Sequence, residues 1–271
     1  MPEVPPALRP YAALAAAGFS RYTSYRAALA AGALTNAVFG LLRASILVAT
    51  LAARGGAIGG YDRGTAVTYA WITQALIAVV ELFTWNELAL RVRTGDIAVD
   101  LCRPVDPLLA WGAADVGRAA AVVLPRGLPV LLVGTVTTGL TLSGVVLPYL
   151  LGAVSVLLAV LLSFACRCAV NLVAFWTVEV RGVLGLYVVL STTLSGLVLP
   201  VSWFPPWLAT IAAATPFPAM VQLPTDILLG RATGWHAAAA LAVQAGWLLA
   251  VGVLARLLLV TGRRRLVVQG G

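Results

Sequence analysis

The chain has 271 residues, 61% of them hydrophobic and 10% charged, with a mean hydropathy of +0.97. A soluble domain of this size carries about 25% charged residues, so the missing polar surface must face lipid. The formal charge of +8 comes from arginine alone, with no lysine. These arginines stand mostly at the ends of apolar runs, where anionic headgroups rather than nucleic acid are the expected partner.

The N-terminus opens with Glu3 and several prolines and lacks the basic start of a cleaved signal peptide. Tyr11, Leu14, Ala15, Gly18, Phe19 and Tyr22 recur at helical spacing, with Ser20, Arg21 and Thr23 off the stripe. That pattern predicts an amphipathic interfacial helix over about 10–25. Long apolar runs follow at about 27–53, 66–90, 119–140, 145–177, 183–201 and 236–261. Each is long enough to cross a hydrocarbon core of about 30 Å. Pro125 and Pro129 break the third, so neighbouring helices must satisfy the freed backbone groups. Between the last two runs, 202–235 holds Trp203, Phe204, Trp207, Phe217 and Trp235 among six prolines counted from Pro200 to Pro224. It reads as short re-entrant or interfacial helices with aromatics at headgroup depth. The fold class is therefore all-α: one polytopic domain over 1–271 with six transmembrane helices.

Orientation follows from arginine placement. With the N-terminus inside, the inner segments carry Arg9, Arg21, Arg26, Arg91, Arg93, Arg103, Arg118, Arg181 and Arg263 to Arg265, and the outer ones only Arg54, Arg63 and Arg231. Both termini are then expected in the cytoplasm. Catalytic patterns do not assemble: no phosphate-binding loop is possible without lysine, and His-Glu-x-x-His and Gly-x-Ser-x-Gly do not occur. His236 reads as an interface residue, and Cys102, Cys166 and Cys168 as free cysteines without metal-ligand spacing. The chain is expected to be no enzyme itself and to hold no metal.

The polar stretch 91–118 is the most informative. Gly95 can end the preceding helix, Asp96 is a fair N-cap for a short helix from Ile97 to Leu101, and Pro104 stops it. Asp106-Pro107 then starts the next element. Ile97 and Leu101 share a face at i and i+4, with Asp100 beside them, which gives a short stiff helix suited to docking. By composition alone, a plain linker between two spans remains the alternative.

The run Arg93-Thr-Gly-Asp-Ile-Ala-Val-Asp-Leu-Cys-Arg-Pro-Val-Asp106 resembles the cytosolic loop of ABC-2 type permease subunits of ABC exporters. It is most similar to that of the bacterial viologen and multidrug exporter permeases. Pro-Phe-Pro at 216–218, Pro-Thr-Asp-Ile-Leu-Leu-Gly at 224–230 and Gly-Arg-Arg-Arg at 262–265 fit the same architecture. The resemblance implies that Gly95, Asp96, Ile97, Asp100, Leu101, Arg103, Pro104 and Asp106 contact a separate ATPase subunit. It implies that ATP and Mg belong to that partner, and that a second permease, identical or related, completes one pathway in a bacterial cytoplasmic membrane. A hydrophobic or amphipathic drug-like substrate is the expected cargo. The competing reading is a stand-alone ion- or proton-coupled transporter, which calls for more paired intramembrane carboxylates than this chain holds.

Ionisable side chains inside spans are costly and become functional candidates. Arg43, Glu81 and Arg126 qualify, and Glu81 and Arg126 fall at similar inferred depth, so an ion pair between them is expected. Glu87, Arg167, Glu179 and Arg256 lie near expected span ends and can snorkel.

Overall fold

A computed structural model describes residues 5, 8–24, 26–83, 86–177 and 179–265. Tyr25, Thr84 and Trp85, which fall in the expected interfacial helix and second run, lie outside the described residues. The described residues are 79% helical, and no strand is found among them. It is an all-α polytopic membrane protein. Four helical runs are long and apolar enough to cross a membrane: Ala27–Ala53, Pro107–Thr138, Leu147–Phe175 and Gly234–Arg265.

Helix α1 (Arg9–Thr23) buries no residue and lies on α6 (Pro107–Val122). Small residues allow the approach: Gly18 meets the Ala114 backbone and Gly117 the Ala15 backbone, with no room for a Cβ at either position. Helix α2 (Arg26–Ala53) then packs along α3 (Arg63–Leu76), the most enclosed element of the bundle, in which every residue from Ala66 to Leu76 is buried. Trp71 fills the space beside Gly40 and Gly134 and donates its indole N–H to Thr138 Oγ1 at 2.9 Å.

The expected second span is not one helix. A π-turn, Ile77–Glu81, ends α3, Glu81 takes a left-handed φ of 54°, and the chain restarts as α4 (Glu87–Thr94). Helix α5 (Ile97–Leu101) follows. The polar stretch 91–118 is likewise largely helical rather than a loop, because α6 begins at Pro107. Asp106 caps it, its Oδ1 accepting from the Leu108 and Leu109 N–H groups at 3.0 and 3.2 Å. The run continues through a second π-turn, Val123–Gly127, into α7 (Leu128–Thr138), so Pro125 is absorbed by local widening of the helix.

Helices α8 (Leu147–Leu172) and α12 (Gly234–Gly262) pack closely, tied by Ser155 and Gln244, whose amide also reaches the Ala219 carbonyl at 2.8 Å. Helix α9 (Arg181–Leu194) is short, and α10 (Pro206–Ala213) and α11 (Gln222–Leu228) occupy the aromatic, proline-rich segment. Where α11 meets α3, the Gln222 amide and Asp226 carboxylate surround the Tyr61 hydroxyl at 3.0 and 2.9 Å. Tyr69 donates to the Gly196 carbonyl, and Arg231 lies 3.7 Å over the Tyr61 ring. Burial, followed by the Asp226 charge, pushes the Tyr61 hydroxyl pKa well up, so this phenol stays a neutral donor.

Helix α3 starts in a reciprocal cap: Asp62 Oδ1 accepts from Thr65 N–H at 2.8 Å, and Asp62 N–H donates to Thr65 Oγ1 at 3.0 Å. The Thr65 hydroxyl and then its N–H hold the Asp62 carboxyl below the usual carboxylate range. A depressed carboxyl pKa contributes stability above the unfolded value, about 3.9, that is lost as pH falls through the folded value. Asp62→Ala should cost about 1 kcal/mol at neutral pH, and the gap should close below about pH 4. Thermal unfolding of the two proteins in detergent across that range checks it.

Candidate functional site

The site is built where α3 stops inside the bundle. The π-turn and the left-handed Glu81 leave carbonyls without helical partners. Side chains from other helices take them up. Arg118 on α6 donates to the Ala78 and Val79 carbonyls at 2.8 and 3.0 Å. Ser163 on α8 donates to the Glu81 carbonyl at 2.8 Å, and Ser191 on α9 to that of Leu82 at 3.3 Å.

A buried guanidinium needs a counter-charge, and Asp115, one turn before Arg118 on the same face of α6, supplies it. Its two oxygens lie 2.7 Å from Arg118 Nε and 2.8 Å from Arg167 Nη2. Glu81 Oε2 stands 3.6 Å from Arg118 Nη1, giving a neutral set of two arginines and two carboxylates at the junction of three helical segments. Asn171 extends the set, donating to the Arg167 carbonyl at 2.7 Å and accepting from the Ala89 N–H of α4 at 3.0 Å. A polar cavity of about 280 Å³ opens beside the cluster, walled by Tyr22 of α1, Glu87 and Arg91 of α4, and Trp111 of α6. At its mouth, Arg21 and Glu87 form an exposed pair at 3.4 Å.

The expected Glu81–Arg126 pair does not form. Arg126 turns on the second π-turn towards Gly32 of α2, and its Nε is buried without a hydrogen-bond partner among the described residues. Arg118 lies nearer because α6 presents it to the broken end of α3. Arg43 gives one N–H to the Leu197 carbonyl, while its Nε and Nη1 are buried without partners among the described residues. Asp115, Arg118 and Arg167 escaped the sequence reading: the first two fell in an expected loop, and the third was taken to snorkel. A signal was present, since Asp115 and Arg118 share a face at i and i+3 once a helix starts at Asp106-Pro107.

The 95–106 segment is clamped to this cluster through α4. Gly95, with φ 82°, ends α4 in the left-handed geometry that glycine adopts without strain. Asp96 precedes α5, but its side chain makes no cap and instead accepts from the Thr94 hydroxyl at 2.6 Å. Ile97 is fully buried, and Leu101 is partly buried against the same core. Asp100 is 5% exposed and acts as a staple: Arg91 of α4 lies 2.9 Å away, Arg103 3.7 Å, and the Trp111 indole N–H of α6 3.3 Å. Asp106, besides capping α6, pairs with Arg256 of α12, and its N–H donates to the Tyr11 hydroxyl of α1. The free face of the segment is then Asp96, Val99, Arg103 and Pro104, all exposed, with Val99 at 59%.

Fold and site together describe a helical membrane protein that presents a short, firmly held helix at its arginine-rich end. A family model described as ABC-2 family transporter protein matches residues 39–270. The chain belongs to that family: it is an ABC-2 type permease, the membrane component of an ABC transporter. No curated protein and no solved structure matches it.

Asp115→Asn should be the most damaging single change in the cluster, leaving Arg118 and Arg167 buried without their shared carboxylate, a loss of about 3–5 kcal/mol. Glu81→Gln, which removes a longer and more exposed partner, should cost about 1 kcal/mol or less. Thermal unfolding of both variants in the same detergent tests the order, and equal losses would contradict this division of labour.

Proposed function

We propose that the chain is the transmembrane subunit of an ATP-driven exporter that moves a hydrophobic or amphipathic substrate out of a bacterial cell. A separate ATPase docks on the 93–106 segment and supplies ATP and Mg, and two permeases, identical or related, enclose one pathway. Both termini lie in the cytoplasm, so the arginine-rich end faces the ATPase. Six crossings follow if the interrupted α3–α4 run and the short α9 count as spans beside the four long helical runs.

The observation that carries this reading is the two-sided character of α5. Ile97 and Asp100 fasten it inward, while Val99 and the neighbouring Asp96 and Arg103 are exposed. Family membership supports the partner, because permeases of this class work with an ABC ATPase. The docking role therefore falls to Asp96, Val99, Arg103 and Pro104, supported from behind by Gly95, Ile97, Asp100, Leu101 and Asp106.

Co-purification tests it. Wild type should retain the ATPase encoded with it, and Val99→Arg should lose it about tenfold or more while the permease stays folded, as expected when a central interface contact is reversed. Asp100→Arg should instead destabilise the permease itself. If wild type binds no ATPase with or without nucleotide, the exporter reading fails, and ion-coupled transport in liposomes becomes the next measurement.

A further inference from the structure

The face of α6 opposite the charge cluster borders a long groove that neither the docking segment nor the cluster uses. Its inner chamber, about 420 Å³, lies between α6, α8 and α12, at Gly112, Cys168 and Gly252. The outer chamber, about 500 Å³, continues between α6, α7 and α8, at Ala120, Leu124 and Val160, and Val116 lines both. From Leu108 to Leu131 the α6–α7 wall of the groove extends about 35 Å, slightly more than a hydrocarbon core. Among the described residues, no charged side chain lines either chamber.

The inner end is different. Ala255 and Leu108 line the last part of the groove, and just beyond them Arg256 pairs with Asp106, bridging α12 and α6. Arg256 is about half exposed and uses one guanidinium nitrogen for that pair, which leaves it further N–H donors. About two turns further, just past the end of α12, stand Arg263, Arg264 and Arg265, all exposed. An apolar groove of membrane-spanning length, ending at cations, matches one class of ligand.

We infer that this groove is a binding site for a phospholipid with an anionic headgroup, its acyl chain along α6 and its phosphate at Arg256 and Arg263. The geometry favours lipid over a helix of a second copy because the apolar walls run the depth of a hydrocarbon core and end at the Arg256 and Arg263 cations. An anionic headgroup meets Arg256 without displacing Asp106, whose second oxygen is committed to the α6 cap.

The test uses the full chain reconstituted in vesicles of equal parts phosphatidylcholine and phosphatidylglycerol, extracted mildly and examined by native mass spectrometry. Wild type should retain phosphatidylglycerol over phosphatidylcholine by about fivefold, the effect of one basic residue at an anionic surface. Arg256→Gln should erase the preference and leave lipid bound. Ala120→Trp and Leu124→Trp, at exposed positions on the groove wall, should empty it, while Val154→Trp on the lipid-facing side of α8 should behave as wild type. Equal retention of both lipids by wild type overturns the assignment. So does lipid unchanged in both groove-filling variants, or a disulfide joining two chains through Ala113→Cys.

Discussion

Helix α3 runs through the middle of the bundle and stops before it reaches the surface, and the guanidinium of Arg118 receives the carbonyls it leaves at Ala78 and Val79. A helix C-terminus carries partial negative charge, so a cation is the natural partner there. Burying that cation requires Asp115, and Asp115 in turn holds Arg167, which fixes α8 against α6. Three helices are thus positioned by one unfinished end. The left-handed Glu81 costs on the order of 1 kcal/mol or more, and the surrounding ladder of side-chain hydrogen bonds is what over-determines it.

The other end of α3 is held by a different chemistry for the same reason. There the Tyr61 and Tyr69 hydroxyls, Gln222 and Asp226 join α3 to the segment before α12, and Trp203 donates to the Ile58 carbonyl at 3.0 Å. Arg231 closes that set over the Tyr61 ring and beside Asp226 at 3.3 Å. A central helix without lipid-facing residues gains nothing from the membrane, so polar side chains at its two termini define its height. Between them its surface is filled by close approach, as at Trp71 against two glycines.

Helical class, lipid exposure and the bounds of α5 were legible in the sequence, since hydropathy, Gly95 and Asp106-Pro107 each leave a local mark. The break at 82–86 was not, because the residues on both sides are as apolar as a span and a π-turn has no composition of its own. Missing the break moved the start of the third span inward, and that concealed the charge cluster. Asp115 lies eight residues into α6, about 12 Å from its start, so its burial follows only once the helix begins at Pro107. The Glu81–Arg126 pairing failed for a related reason: depth along two helices does not say which faces meet, and Arg126 sits on a π-turn that rotates it towards α2. The resemblance placed a docking role on Asp100 and Asp106, yet arginines and an indole from three helices enclose them.

That enclosure has a mechanical consequence. Asp100 joins α5 to α4 through Arg91 and to α6 through Trp111, and Asn171 joins α4 to α8 at the Ala89 N–H. A load on the exposed face of α5 therefore displaces α4 and the start of α6 together rather than bending α5 alone. The next joint along the chain lies between the π-turn ending at Glu81 and the start of α4 at Glu87, where the Ala78, Val79, Glu81 and Leu82 carbonyls are held by side chains. Side-chain hydrogen bonds to one guanidinium and two hydroxyls yield more readily than a continuous helix. The compliant element consequently lies between α5 and the central helix, beside a polar cavity that already admits space for movement. The second π-turn touches the first, so α7 shares the same joint. Motion entering at α5 would then divide between tilting α3 and opening the gap between α7 and α8, where the apolar groove lies.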